Sequence, residues 1–231
     1  MQERMAADFG LEYDKVVAAE PVIYGDFLVP NADPRLYTEI EDLTAMKRII
    51  EEYLEDYNQI NMAKMRLVLF LDAMRHIARI SRIIRQPFGN ALLLGVGGSG
   101  RQSLTRLAAH MAEYDCFQIE LSKNYGVAEW RDDLKKVMLA AGMSNQQTVF
   151  LFSDTQIKRE TFLEDLNNIL NSGDVPNIYS LDELDAIYST MKASVQEAGL
   201  PPTKTNLFSA YTKRVRNNLH TVVCMSPIGE V

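Results

Sequence analysis

In the run Ala91-Leu-Leu-Leu-Gly-Val-Gly-Gly-Ser-Gly-Arg-Gln-Ser-Leu-Thr105, glycines stand at 95, 97, 98 and 100 behind an apolar stretch. Gly95 and Gly100 occupy the fixed glycine positions of G-x-x-x-x-G-K-[ST], a loop that turns backbone N–H groups inward around phosphate oxygens. Gly95, Val96, Gly97, Gly98, Ser99 and Gly100 thus keep the anion cradle, and a following helix adds its positive end. The two reactive positions differ. Arg101 stands where Lys is expected, and its planar guanidinium is bulkier than an ammonium. Gln102 replaces the short hydroxyl that binds Mg²⁺ and offers only a weak amide ligand. Ser103 lies one helical step further on, about 100° round the axis. The expected ligand is ATP or ADP, with Mg²⁺ possible.

The other half of such a site is an acidic residue ending an apolar strand, and Thr148-Val-Phe-Leu-Phe-Ser-Asp154 has that form. Asp154 is expected to hold Mg²⁺ through water. In AAA+ ATPases a Glu follows this Asp and polarises the attacking water. Here Thr155 follows, and its hydroxyl has no basicity at neutral pH. Glu160 is the nearest downstream carboxylate, several residues past the strand end. No catalytic residue is assigned. Binding with weak or no hydrolysis is the expectation; an ATPase with an unconventional base and a purely structural segment are the alternatives.

These residues need a sheet and helices to hold them. From Ala91 the pattern alternates: strand 91–96, helix 102–114, strand 116–121, helix 128–141, strand 148–153. Two S/T-x-x-E capping boxes, Thr161–Glu164 and Ser180–Glu183, open further helices, the second stopping before Gly199-Leu-Pro-Pro202. A helix over 207–218 and a strand over 221–225 follow. Such alternation predicts a parallel sheet with helices on both faces. Upstream, Met46, Ile49, Ile50, Tyr53, Leu54 and Tyr57 mark an amphipathic helix. A second helix is expected over 62–85, with Leu67, Leu71, Met74 and Ala78 on one face and a solvated stripe of Arg75, Arg79 and Arg82 on another. Residues 1–40 read as an extended arm, with a short strand in 21–30.

The 231 residues, 47% hydrophobic and 24% charged, suit a packed soluble domain. A net charge of −7 argues against nucleic acid or an anionic membrane as main partner. No apolar run reaches membrane-spanning length, and the start lacks a signal-peptide core, so an intracellular site is expected. Cys116 and Cys224 are expected as buried, reduced thiols. His76, His110 and His220 have no metal-ligand spacing.

Gly95–Leu104, Phe150-Leu-Phe-Ser-Asp-Thr-Gln156, Phe162-Leu-Glu-Asp-Leu-Asn-Asn168 and Val223-Cys-Met-Ser-Pro227 occur in an order that resembles the dynein heavy chain. The resemblance is to the fourth AAA+ module of its motor ring, in axonemal form. It implies an α/β P-loop NTPase fold, the AAA+ large subdomain: an arm (1–40) near the nucleotide base, a helical segment (41–89) and the P-loop core (90–231). It implies that Ser226 holds the first sensor position near the γ-phosphate. The partners it implies are neighbouring AAA+ modules of the same heavy chain and other dynein subunits, with microtubules reached only through a stalk outside these residues, in the cilium axoneme. The family's arginine-finger helix, fifth strand, second sensor and lid are expected beyond Val231. The expected missing strand would leave strand 91–96 as an apolar edge, and the chain is not expected to be a motor by itself.

Overall fold

The computed structural model describes residues 7, 8, 10 and 22–227. Much of the expected arm, and the last four residues, lie outside them. The fold is α/β, organised on a four-stranded parallel sheet of order β3-β6-β5-β4. These strands are β3 (Ala91–Leu94), β4 (Asp115–Phe117), β5 (Thr148–Ser153) and β6 (Leu219–Met225). Two short segments upstream, β1 (Tyr24–Gly25) and β2 (Thr38–Glu39), form a separate antiparallel pair. The helices are α1 (Leu43–Ile60), α2 (Leu71–Ile84), α3 (Arg101–Met111), α4 (Val127–Gly142), α5 (Glu160–Ser172), α6 (Leu181–Glu197) and α7 (Lys204–Asn218).

The two-residue period of β5 divides the core. Val149 and Leu151 face one side of the sheet and Phe150 and Phe152 the other, all fully buried. The first side packs with Val222 and Cys224 against α1, α2 and α3 and against Ile23, Phe27 and Ile40 of the arm. The second packs under α4 to α7, where Trp130 stacks on Phe162 with ring centres 4.4 Å apart. The indole N–H donates to buried Asp165 at 3.0 Å, which satisfies both polar groups away from water. Arg35 ties the arm to the core by donating to the Met111 carbonyl at the end of α3, 2.7 Å.

Several boundaries differ from the sequence reading, each for a local reason. The helix expected over 62–85 begins only at Leu71. The Asn58 side chain holds Met65 in an extended loop, accepting from its N–H at 2.6 Å and donating to its carbonyl at 3.0 Å. An amide side chain thereby replaces helical hydrogen bonding. Leu67 is half-buried in that loop, and Leu71 is exposed. The capping box at Thr161 does not form: α5 starts at Glu160, behind Arg159, with no side-chain cap. That at Ser180 does form, Glu183 accepting from the Ser180 N–H at 2.8 Å. Strand β4 ends at Phe117, short of the expected Leu121. Cys116 is exposed on this edge strand, contrary to the expected burial, while Cys224 is buried in β6. Arg79 and Arg82 are exposed and Arg75 half-exposed, as expected of a solvated stripe. Strand β3 lies at the sheet edge, with Leu92 and Leu94 exposed.

Candidate functional site

Parallel sheets bind ligands beyond the C-terminal ends of their strands. Here the ends of β3, β5 and β6 meet an open cleft of about 290 Å³. It is lined by Gly98–Ser103, Arg106, Ser153, Asp154 and Cys224. Gly95 leaves β3 by donating to the Met225 carbonyl at 3.2 Å, and Ser99 N–H closes a turn onto Val96 O at 3.2 Å. Gly98 and Gly100 have φ of 79° and 78°, left-handed backbone that disfavours any Cβ. Gly100 is the N-cap of α3 and offers no side chain, so the first-turn N–H groups keep no side-chain partner. Those groups and the helix dipole are what a phosphate oxygen requires.

The side chains around the loop are tied differently from the sequence expectation. Arg101 folds back, donating to the Met225 carbonyl and, at 3.2 Å, to that of Val96. Gln102 Oε1 accepts from Gln118 Nε2 at 3.2 Å, and Gln118 Oε1 in turn accepts from Arg106. Ser103 lines the cleft. Asp154 accepts from the Ser226 N–H at 2.7 Å on one oxygen and from the Thr155 N–H at 2.8 Å on the other. Donation from Ser226, with help from Thr155 and from the charge of Arg101, holds the Asp154 carboxyl below the usual carboxylate range. Ser226 is exposed, and its N–H bond to Asp154 ties the end of β6 to that of β5. The Thr155 hydroxyl is paired with Ser153 Oγ at 2.9 Å.

Four residues that shape the cleft were not singled out from the sequence: Arg106, Gln118, Ser153 and Gln156. Arg106 carried a readable signal, because it is four residues after Gln102 on the same helix face. Gln156 is buried and clamps the end of β5, accepting from the Ser153 N–H at 2.9 Å and donating to the Ile119 carbonyl at 2.8 Å. Burial pushes the Cys224 thiol up to about 11 against the pull of Arg101 and Arg106, so it stays protonated.

The backbone cradle fits a phosphate chain. The side chains offer Mg²⁺ little direct ligation, so phosphate oxygens and water would have to complete its near-octahedral shell. Among the described residues Asp154 is the one carboxylate lining the cleft, each of its oxygens accepts one backbone N–H, and the Gln102 oxygen is engaged by Gln118. Among the described residues no cluster of three His, Cys, Asp or Glu is placed to hold a metal.

A glycine loop between a parallel strand and a helix, at the strand ends, defines a P-loop α/β module of the AAA+ kind. The family described as the P-loop containing dynein motor region D4 matches residues 65–231. The chain is 65% identical over 229 residues to mouse dynein axonemal heavy chain 1, covering 99% of this chain and 5% of that protein. It is 46% identical over 226 residues to human dynein axonemal heavy chain 6, covering 96% of this chain and 5% of that one. Against the Dynein-1-beta heavy chain, flagellar inner arm I1 complex, of Chlamydomonas reinhardtii, identity is 50% over 205 residues, 88% of this chain and 4% of that protein. The chain belongs to the axonemal dynein heavy chains and carries their D4 AAA region. It spans about 5% of the length of these relatives.

Proposed function

We propose that this module binds ATP or ADP and hydrolyses it weakly or not at all, acting as a regulatory site. The observation that carries this reading is the left-handed Gly98–Gly100 turn, which presents the uncapped start of α3 to the cleft. Gly95 to Gly100 would supply the backbone cradle, with Arg101, Gln102 and Ser103 contributing first-turn N–H groups. Asp154 and Ser226 would face the terminal phosphate from the ends of β5 and β6. Thr155 stands where a general base is needed, and its hydroxyl is engaged by Ser153. When bound, the nucleotide would supply a negative charge that draws the loop, α3 and the strand ends together. Occupancy would thereby bias packing against neighbouring modules of the same heavy chain. The arm (1–40), helical segment (41–89) and core (90–231) would form the large subdomain of that module, the arm lying near the base.

In this reading the protein acts in microtubule-based ciliary motility at the axoneme, with other dynein subunits, reaching microtubules through a stalk elsewhere in the heavy chain. The names of its relatives support that setting. Isothermal titration of the purified chain with ATP tests binding: saturation at one site is expected, and no heat at millimolar ligand would sink the reading. Steady phosphate release near or above about 1 s⁻¹, the low end of working enzymes, would contradict weak hydrolysis. A second reading, a purely structural ring segment, is favoured by one observation. Arg101 already satisfies the carbonyls of Val96 and Met225 across the mouth of the loop.

A further inference from the structure

We propose that the phosphate chain of the nucleotide is neutralised in this cleft by Arg101 and Arg106 and not by Mg²⁺, so that the ligand is the metal-free nucleoside di- or triphosphate. The inference rests on the nucleotide-binding reading above. It starts from charge: among the described residues two arginines line the cleft against one aspartate. Neither arginine is paired with a carboxylate among the described residues; Arg101 donates to backbone carbonyls and Arg106 to the neutral Gln118 amide. A guanidinium carries five N–H donors, so both keep spare donors, in a fork that matches two phosphate oxygens. Arg101 and Arg106 both line this cleft, together with Cys224 and the first turn of α3.

The side chains on the metal side of the site are already engaged. The chain Arg106–Gln118–Gln102 draws the Gln102 oxygen toward Gln118, at the position where a hydroxyl would face the ion. Each Asp154 oxygen already accepts one backbone N–H, from Thr155 and from Ser226, which weakens it as a metal ligand. A dehydrated Mg²⁺ would therefore find one shared carboxylate and two competing guanidinium charges. Mg²⁺ coordinated to the nucleotide would also take phosphate oxygens that the arginines need.

The test is isothermal titration of the purified chain with ATP and with ADP, in Mg²⁺ and in EDTA. The proposal expects equal or tighter binding in EDTA. Arg106→Gln should weaken binding roughly 10- to 100-fold in both buffers, the loss of a charge-assisted hydrogen bond. Arg106→Lys should recover part of that loss. Gln102→Thr, which removes the amide and restores the hydroxyl, should make binding tighter in Mg²⁺ than in EDTA. Binding of the parent chain tighter in Mg²⁺ by about tenfold or more, 1.4 kcal/mol, overturns the proposal while leaving the nucleotide reading intact. Unchanged affinity of Arg106→Gln with a native circular dichroism spectrum also overturns it. If that variant unfolds, the buffer comparison and Arg106→Lys still decide. No binding in either buffer overturns the nucleotide reading itself, and the proposal falls with it.

Discussion

Gln156 offers the sharpest test of how the end of β5 is held. Its side chain is 6% exposed and sits between the Ser153 N–H and the Ile119 carbonyl, whose residues are 2% and 3% exposed. It also accepts from Ser153 Oγ at 3.2 Å. Gln156→Ala leaves a buried donor and a buried acceptor without partners. At about 1–3 kcal/mol for each unsatisfied group, the expected loss is about 2–6 kcal/mol, a sizeable share of the roughly 5–15 kcal/mol of a whole domain. Gln156→Glu separates hydrogen bonding from volume. It keeps the acceptor for Ser153 but removes the donor to Ile119 and sets a buried negative charge against that carbonyl, so it should cost at least as much. Urea denaturation followed by fluorescence of Trp130, fully buried beside Phe162, reads both variants. A loss below about 0.5 kcal/mol for Gln156→Ala, the usual range for uninvolved surface positions, would refute the reasoning. So would a Gln156→Glu protein as stable as the parent.

Further outcomes can be checked separately. Gly98→Ala places a side chain at φ 79° in otherwise open space and should cost about 1–2 kcal/mol from backbone strain alone. Gly97→Ala, also open but not left-handed, should leave stability unchanged, and equal melting curves for the two variants would count against the loop conformation. Asp154 has a lowered folded carboxyl pKa, so its contribution is present above the unfolded value near 3.8 and lost as pH falls through the folded one. The Ser226 amide resonance should thus titrate with a midpoint below 3.8, and Asp154→Asn should abolish that titration. Thr155→Glu should raise phosphate release roughly tenfold, below the usual general-base gain because Asp154 and Gln102 stay tied. Unchanged release alongside its loss in Asp154→Ala would instead favour an unconventional base.

What the sequence disclosed follows from how local each signal is. Strand β5 was legible to the residue because Val149 to Phe152 serves two cores at once and must be apolar throughout. The glycine loop was legible because left-handed backbone at Gly98 and Gly100 restricts residue type. The second helix was over-extended because the pinning of Met65 by Asn58 looks, in sequence, like uninterrupted helical spacing. Cys116 was placed inside because an apolar neighbourhood does not say that β4 lies at the sheet edge. The site's second layer was hidden for a similar reason. Gln118 and Gln156 act across sequence separations of 16 and 37 residues, to Gln102 and Ile119, and no local pattern marks such partners.

The account's central claim is that the loop holds a nucleotide which the surrounding residues do not consume. The direct measurement is to incubate the folded chain with ATP, remove free ligand, denature the protein and resolve the released nucleotide by chromatography. The account predicts close to one nucleotide per chain, recovered chiefly as ATP. Recovery of none, or complete conversion to ADP within seconds, would contradict it.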